Sequence, residues 1–445
     1  MIHPSHIPDT RYPDSWYSAT SQFGEPRPAL TTEHRAKVCV IGGGLAGLSV
    51  SLELLRMGIP VAIIESGRVA WGASGRNGGF VSAGYSADME NIIQTCGAEL
   101  AARLYEYSVQ GVNRVRENIE QLAPDVLMGE GMLLVSRHPA ANRMQQAAEL
   151  LNQQPGGKTE VWTRTELDAV IRSGRYYDAL YMPNSFHIHP LNYALALAAE
   201  IESLGGRIFE ASPARKLDKI SSDGHNYRWR VGADSGEIKA EYVVVCTSGY
   251  DQEFYGPVSR SVLPVATHVA VTEPLDDDML GLINTGACIA DTRNACDYFR
   301  VVDRRLLWGG KISTLTEPPD SLKRIMQKAM VEVFPELNDI AVEYCWSGLM
   351  GYCSHKMPVI RRQQPGLWIA TAFGGQGLNT TAIAGELIST AIVRGDERWK
   401  DFNEYMLDWN GGPLGQFGLQ SSYWWMQVKD RFRELLAGRK KIADN

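Results

Sequence analysis

"VIGGGLAG", residues 40–47, joins a short apolar run, KVCVI (37–41), to LAGLSVSLELLRM (45–57), whose Leu45, Leu48, Leu52 and Leu55 fall on one helical stripe. Gly58 ends that pattern and PVAIIE (60–65) reads as a second strand. Residues 37–65 therefore predict a β-α-β unit and, with it, a parallel sheet. Gly42, Gly44 and Gly47 have the spacing of a dinucleotide turn. The first allows a tight turn, the second lets the backbone approach a pyrophosphate, and the third lets helix and strand pack closely. Free amides at the helix start suit a phosphate. Glu65 closes the second strand eighteen residues after Gly47, where a carboxylate accepts hydrogen bonds from both hydroxyls of a ribose. A glycine turn in an unrelated α/β fold is the alternative, and the flanking strand, helix and acid together weigh against it.

Six residues after Glu65 comes WGASGRNGGF (71–80), with four glycines and no acid. Bare amides and small side chains there permit a second close approach to the same dinucleotide. Ser74, Arg76, Asn77 and Gly78 are candidates to meet its pyrophosphate or its far end. A nicotinamide cofactor has no evident need of this second loop, whereas a flavin, longer and bound extended, does. TAFGGQGLNTTAIAGELI (371–388) repeats the theme: a strand passes through Gly374, Gly375 and Gly377 into a helix beginning near Leu378. Its positive end can stabilise the negative charge of a reduced flavin.

Composition fits a soluble, two-domain protein. The chain has 445 residues, 44% hydrophobic and 21% charged, with a formal net charge of -7. No basic face points to nucleic acid, and no run reaches the length of a membrane span. Seven cysteines without C-x-x-C read as reduced thiols, and the expected location is cytoplasmic. His187 and His189 would share a strand face, but no carboxylate or cysteine lies near them in sequence and no metal site is expected.

Signals of the parallel sheet come in three pieces. An FAD-binding domain is expected over 36–90, 186–262 and 348–397. A second, antiparallel-sheet domain is expected over 91–185 and 263–347, with an extended N-terminal arm (1–35) and a helical tail (398–445).

VIGGGLAGLS, ESGRVAWGASGRNGGF (65–80), HIHPLNYALALAAEIESLGGRIFE (187–210), LPVATHVAVTEPL (263–275), DTRNACDYFRV (291–301), RRLLWGGK (304–311), FPEL (334–337) and FGGQGLNTTAIAGELI (373–388) together resemble the FAD-dependent amine and amino-acid oxidoreductases of the D-amino-acid oxidase, glycine oxidase and sarcosine oxidase group. Within it the chain is most similar to the gamma-glutamylputrescine oxidoreductase branch. SYWWMQVKDRFRELL (422–436) extends the likeness into the tail. The resemblance implies an α/β (overall α+β) fold of the glutathione-reductase/D-amino-acid-oxidase type: a Rossmann-like FAD-binding domain interrupted by an antiparallel substrate domain. It implies hydride transfer from the carbon of a C–N bond to flavin, followed by imine hydrolysis, with molecular oxygen or an electron carrier as acceptor. An N-methyl or cyclic amino-acid oxidase of sarcosine type, and a flavin-binding protein without turnover, remain the alternatives.

Some relatives tether flavin through histidine or cysteine. Residues 66–85 hold neither, and Cys353 is one residue out of register with the sarcosine oxidase tether, so non-covalent FAD is expected. Leu307 stands where sarcosine oxidases carry an oxygen-activating lysine, and Lys311 is out of register. Arg300, near the place of an arginine that pairs with substrate carboxylate in glycine-oxidase-like relatives, is a substrate-binding candidate, against a salt bridge within the sheet. Tyr298 shares its strand face. Trp346 and Tyr352 are candidates for an aromatic wall, against core packing, while His355 and Lys356 read as solvated. The aromatic and basic tail reads as a helix over the substrate entrance, in preference to a membrane-surface helix.

Overall fold

Continuous Val and Ile runs make strands that bury both faces, and five of them run parallel: Glu33–Ile41, Val61–Ile64, Arg207–Phe209, Glu237–Val245 and Leu367–Thr371. Glu33–Ile41 lies at the centre, flanked by Glu237–Val245 and Val61–Ile64, with Leu367–Thr371 and Arg207–Phe209 outside them. The computed structural model describes residues 11–220, 226–251, 254–293 and 296–443, with 431–443 by backbone only. Helices Leu45–Arg56, Pro190–Ser203 and Gly377–Arg394 bury their apolar stripes in one core on this sheet, joined by Ala98–Leu122. Strands Lys216–Lys219 and Trp229–Gly232 run as a meander into Glu237–Val245, and Trp229 and Val231 help form the core of the other face.

The second sheet has nine strands. Its order is Val342–Tyr352, Leu263–Thr272, Arg305–Ser313, Tyr298–Val302, Cys288–Asp291, Leu127–Val135, Ala179–Ile188 and Phe80–Val81, with Glu160–Trp162 beside Ala179–Ile188. Its pairs are antiparallel except for Cys288–Asp291 with Leu127–Val135. Helix Leu322–Val333 covers one face, over Phe299, Trp308 and Phe334.

Three local expectations change. The N-terminal arm contains a helical turn, Trp16–Thr20, whose Trp16 and Tyr17 are buried. The segment after Asp88 forms two helices, Met89–Cys96 and Ala98–Leu122, parted at Gly97. Ala98–Leu122 joins the first sheet's helical core, although it falls in the stretch read as the second domain. Strands Ala179–Ile188 and Val342–Tyr352 run across the borders drawn at 185/186 and 347/348, and both belong to the second sheet.

Candidate functional site

The central parallel strands end in line, with Ile41 opposite both Val245 and Ile64. The residues that follow, Gly42, Cys246 and Glu65, line a cavity of about 510 Å3 between the two sheets. This is the expected place for a ligand in an open parallel sheet, beyond the carboxyl ends of the strands. Gly44, Ser74, Arg76, Asn77, Gly78, Gly374, Gly375, Gly377 and Leu378 line the same space, as do Tyr298 and Tyr352. Three glycine segments far apart in sequence thus meet on one cavity. Gly47 stands behind it, at the contact of helix Leu45–Arg56 with the turn.

Glu65 is held rigidly. Its Oε2 accepts the Gly43 amide at 2.7 Å and its Oε1 the Gly67 amide at 2.8 Å. Burial holds its pKa above the ordinary carboxylate value, and these two amides offset only part of that rise. Ser74 Oγ accepts the Leu45 amide at 2.9 Å, tying the second glycine loop to the start of the helix. Asn77 spends its side chain on the loop: Nδ2 donates to the Ala73 and Ser74 carbonyls and Oδ1 accepts the Gly79 amide. Arg76 lies over the Trp71 ring, 3.9 Å from its centroid, and donates from Nε to the Trp71 carbonyl and from Nη1 to that of Ser347.

Arg300 and Trp346 are placed otherwise than the sequence reading had them. Neither lines the cavity. Trp346 is buried beneath the loop and donates from Nε1 to the Arg76 carbonyl at 2.9 Å. Arg300 is fully buried. Its Nη1 donates to His187 Nδ1 at 2.7 Å and its Nη2 to the Tyr17 hydroxyl at 3.0 Å, which itself donates to the Asn77 carbonyl at 2.8 Å. Gly79, at φ +79, closes the loop over this guanidinium; a Cβ there would lie 2.7 Å from Nη2. Among the described residues no acid of the sheet meets Arg300: its partners are a phenol and an imidazole. Among the described residues no cluster of three or more His, Cys, Asp or Glu is set to hold a metal; His189 instead caps helix Pro190–Ser203. Cys353 is buried in the core of the sheet's other face, off the cavity, and burial pushes its thiol up to about 12.

Tyr250 and Gln376 are among the lining residues that the sequence reading missed. Tyr250 accepts the Leu349 amide at 2.8 Å and meets Trp71 edge-on, bracing the cavity wall between the sheets. Its only sequence signal was its position just past the strand ending at Val245. Gln376 pairs with Ser82 at 3.2 Å, across a separation no local pattern reveals.

The family model described as FAD dependent oxidoreductase, DAO, matches residues 37–391. The chain belongs to the DAO family of FAD-dependent oxidoreductases. Among its relatives, gamma-glutamylputrescine oxidoreductase of Escherichia coli is 30% identical over 88% of this chain and 92% of its own length. A probable oxidoreductase, OrdL, of Haemophilus influenzae is 31% identical over 84% of this chain and 87% of its own. Glycine oxidase from Geobacillus kaustophilus shares the fold at TM-score 0.69 and 18% identity, covering 86% of this chain and 98% of that one. L-proline dehydrogenase from P. horikoshii shares it at 0.67 and 17%, over 85% and 96%.

The cavity fits the family's cofactor. Arg76 lines it with an Nη2 that is buried and has no partner among the described residues, a donor waiting for an acceptor. The Leu45–Arg56 helix starts at Gly44, which has no capping side chain, and beyond the Leu45 amide taken by Ser74 its first turn keeps amides for a pyrophosphate. We propose Glu65 as the ribose acceptor. Glu65→Ala is expected to weaken FAD binding by about 1–3 kcal/mol, read by titrating the apoprotein with FAD and following flavin fluorescence. Unchanged affinity refutes the ribose assignment.

Proposed function

We propose that this enzyme oxidises the C–N bond of an amine whose carboxylate, where it has one, lies far from the reacting carbon, as in a gamma-glutamylated diamine. The observation that carries the reading is the chemistry of the cavity wall. Its charged lining residues are Glu65, Arg76, Arg215 and Asp251, and none comes from a strand of the second sheet. That sheet contributes Phe80, Met132, Thr267, Ala290, Tyr298, Ile312 and the stretch 348–352, apolar or neutral groups.

Such a wall has two consequences. An ammonium entering it loses water and finds no acid there, so the neutral amine is favoured. The neutral amine is the form whose lone pair assists departure of hydride from the adjacent carbon. A carboxylate next to the reacting carbon finds no cation on this sheet, and its desolvation goes uncompensated. Bound FAD supplies the two-electron acceptor; this chain's residues orient the amine and exclude water. The identity to gamma-glutamylputrescine oxidoreductase supports the same substrate class. The buried Cys353 supports non-covalent FAD, with acid precipitation expected to release the flavin into the supernatant.

The test is anaerobic bleaching of the holoenzyme's flavin by a panel of amines. Primary and gamma-glutamylated amines are expected to bleach it at least ~10-fold faster than glycine, sarcosine or proline, a difference of ~1.4 kcal/mol in barrier. Faster bleaching by the α-amino acids overturns the substrate class. No bleaching by any compound overturns the catalytic reading.

A further inference from the structure

Six large apolar side chains, Leu315, Trp409, Leu414, Phe417, Trp425 and Val428, are 61–82% exposed and gather about the tail helix Gly412–Ala443. Over residues 412–430 two of its three buried side chains are polar. Its buried positions include Gln420, Tyr423 and Asp430, whereas Leu414, Phe417, Trp424, Trp425 and Val428 point outward. A helix that merely covers a soluble protein has the reverse arrangement. The anchoring is specific. Thr314 donates its amide and hydroxyl to Gln420 Oε1 at 2.8 and 3.0 Å, which fixes the apolar face away from the body and brings Leu315 beside it.

We propose that this face docks the enzyme on an anionic lipid surface. Two features on the page select that occupant. The outward residues are dominated by Trp and Phe, side chains suited to the boundary between water and acyl chains. In sequence, Lys429 to Lys441 carry six Lys and Arg against two Asp and Glu, in a chain whose net charge is -7. Along the chain this basic segment directly follows the apolar positions of the helix, a composition complementary to acidic headgroups. Among the described residues no helix is long and apolar enough to cross a membrane, so the helix lies on the surface. The strand that anchors it, Arg305–Ser313, includes the lining residue Ile312; the lipid plane lies on the second-sheet side of the cavity.

The full-length holoenzyme is sedimented with vesicles of phosphatidylcholine, alone or with about 30 mol % phosphatidylglycerol. Binding is expected to the anionic vesicles only, and to weaken as salt is raised. Trp424→Ser/Trp425→Ser is expected to lower the partition coefficient at least ~10-fold, with FAD content and anaerobic flavin bleaching unchanged. Absence of binding to the anionic vesicles overturns the proposal, as does equal binding by the double variant. A concentration-dependent dimer that the double variant abolishes, without vesicle binding, assigns the face to a second copy instead.

Discussion

Gly47→Ala is expected to yield a protein that purifies with less than about a tenth of the wild-type FAD and melts at least ~5 °C lower. A Cβ at this position would lie 1.9 Å from the Gly42 carbonyl oxygen and 3.1 Å from Val40 Cγ1. Contact needs about 3.4 Å, and a backbone carbonyl at the end of a buried strand cannot swing aside. Helix Leu45–Arg56 must therefore withdraw from the sheet. The withdrawal opens the core that Leu48 and Leu52 share with Val38 and Val40, and it carries the helix's first amides away from the cavity. Overpacking of this kind costs ~3 kcal/mol or more. Gly24→Ala is the matched control, since a Cβ there meets nothing within 4 Å. Flavin content comes from the absorbance ratio and stability from thermal melts. A Gly47→Ala protein with full flavin refutes the close-packing account.

Arg300→Lys is the second large effect, expected as lost stability and not as altered substrate choice. A lysine offers one nitrogen where the guanidinium serves both His187 and Tyr17, so a buried charge stays while an acceptor goes unpaired. The expected cost is about 2–4 kcal/mol, with carboxylated and uncarboxylated amines affected alike in flavin bleaching. Selective loss for carboxylated substrates with the melting temperature intact means that Arg300 reaches the substrate. Burial, and then the charge of Arg300, hold the His187 pKa down to about 3. A histidine depressed on folding contributes stability that is complete above its unfolded value of about 6.5 and is lost as pH falls toward 3. Melting temperature is therefore expected to decline over that window.

The β-α-β unit was legible because its signals are local: glycine spacing, a leucine stripe and an acid at the strand end all fall within residues 37–65. Ala179–Ile188 was missed because Pro183, Asn184 and Ser185 break the apolar pattern in mid-strand. Val342–Tyr352 was missed because its glycines and polar residues mimic a loop. The N-terminal arm was taken as extended from its prolines, yet Trp16 and Tyr17 bury against groups far away in the chain. Arg300 shows the deeper limit. Strand alternation correctly puts it on the face of Tyr298, beneath the glycine loop, but what lies across from that face comes from residues 17, 79 and 187, and no local pattern carries such a pairing.

That pairing has a consequence for how the enzyme is made. Tyr17 and Arg300 are separated by 283 positions, so Tyr17 leaves the ribosome long before its partner is made. Until then Tyr17 has no guanidinium to meet, and the loop at Asn77 lacks its support. The strand Leu367–Thr371 arrives later still. The nascent chain can form its first β-α-β unit early, yet the chamber for the flavin closes only after Leu367–Thr371 and the glycines behind it have been made, so cofactor capture follows the making of the second sheet and the N-terminal arm waits as a latch until then.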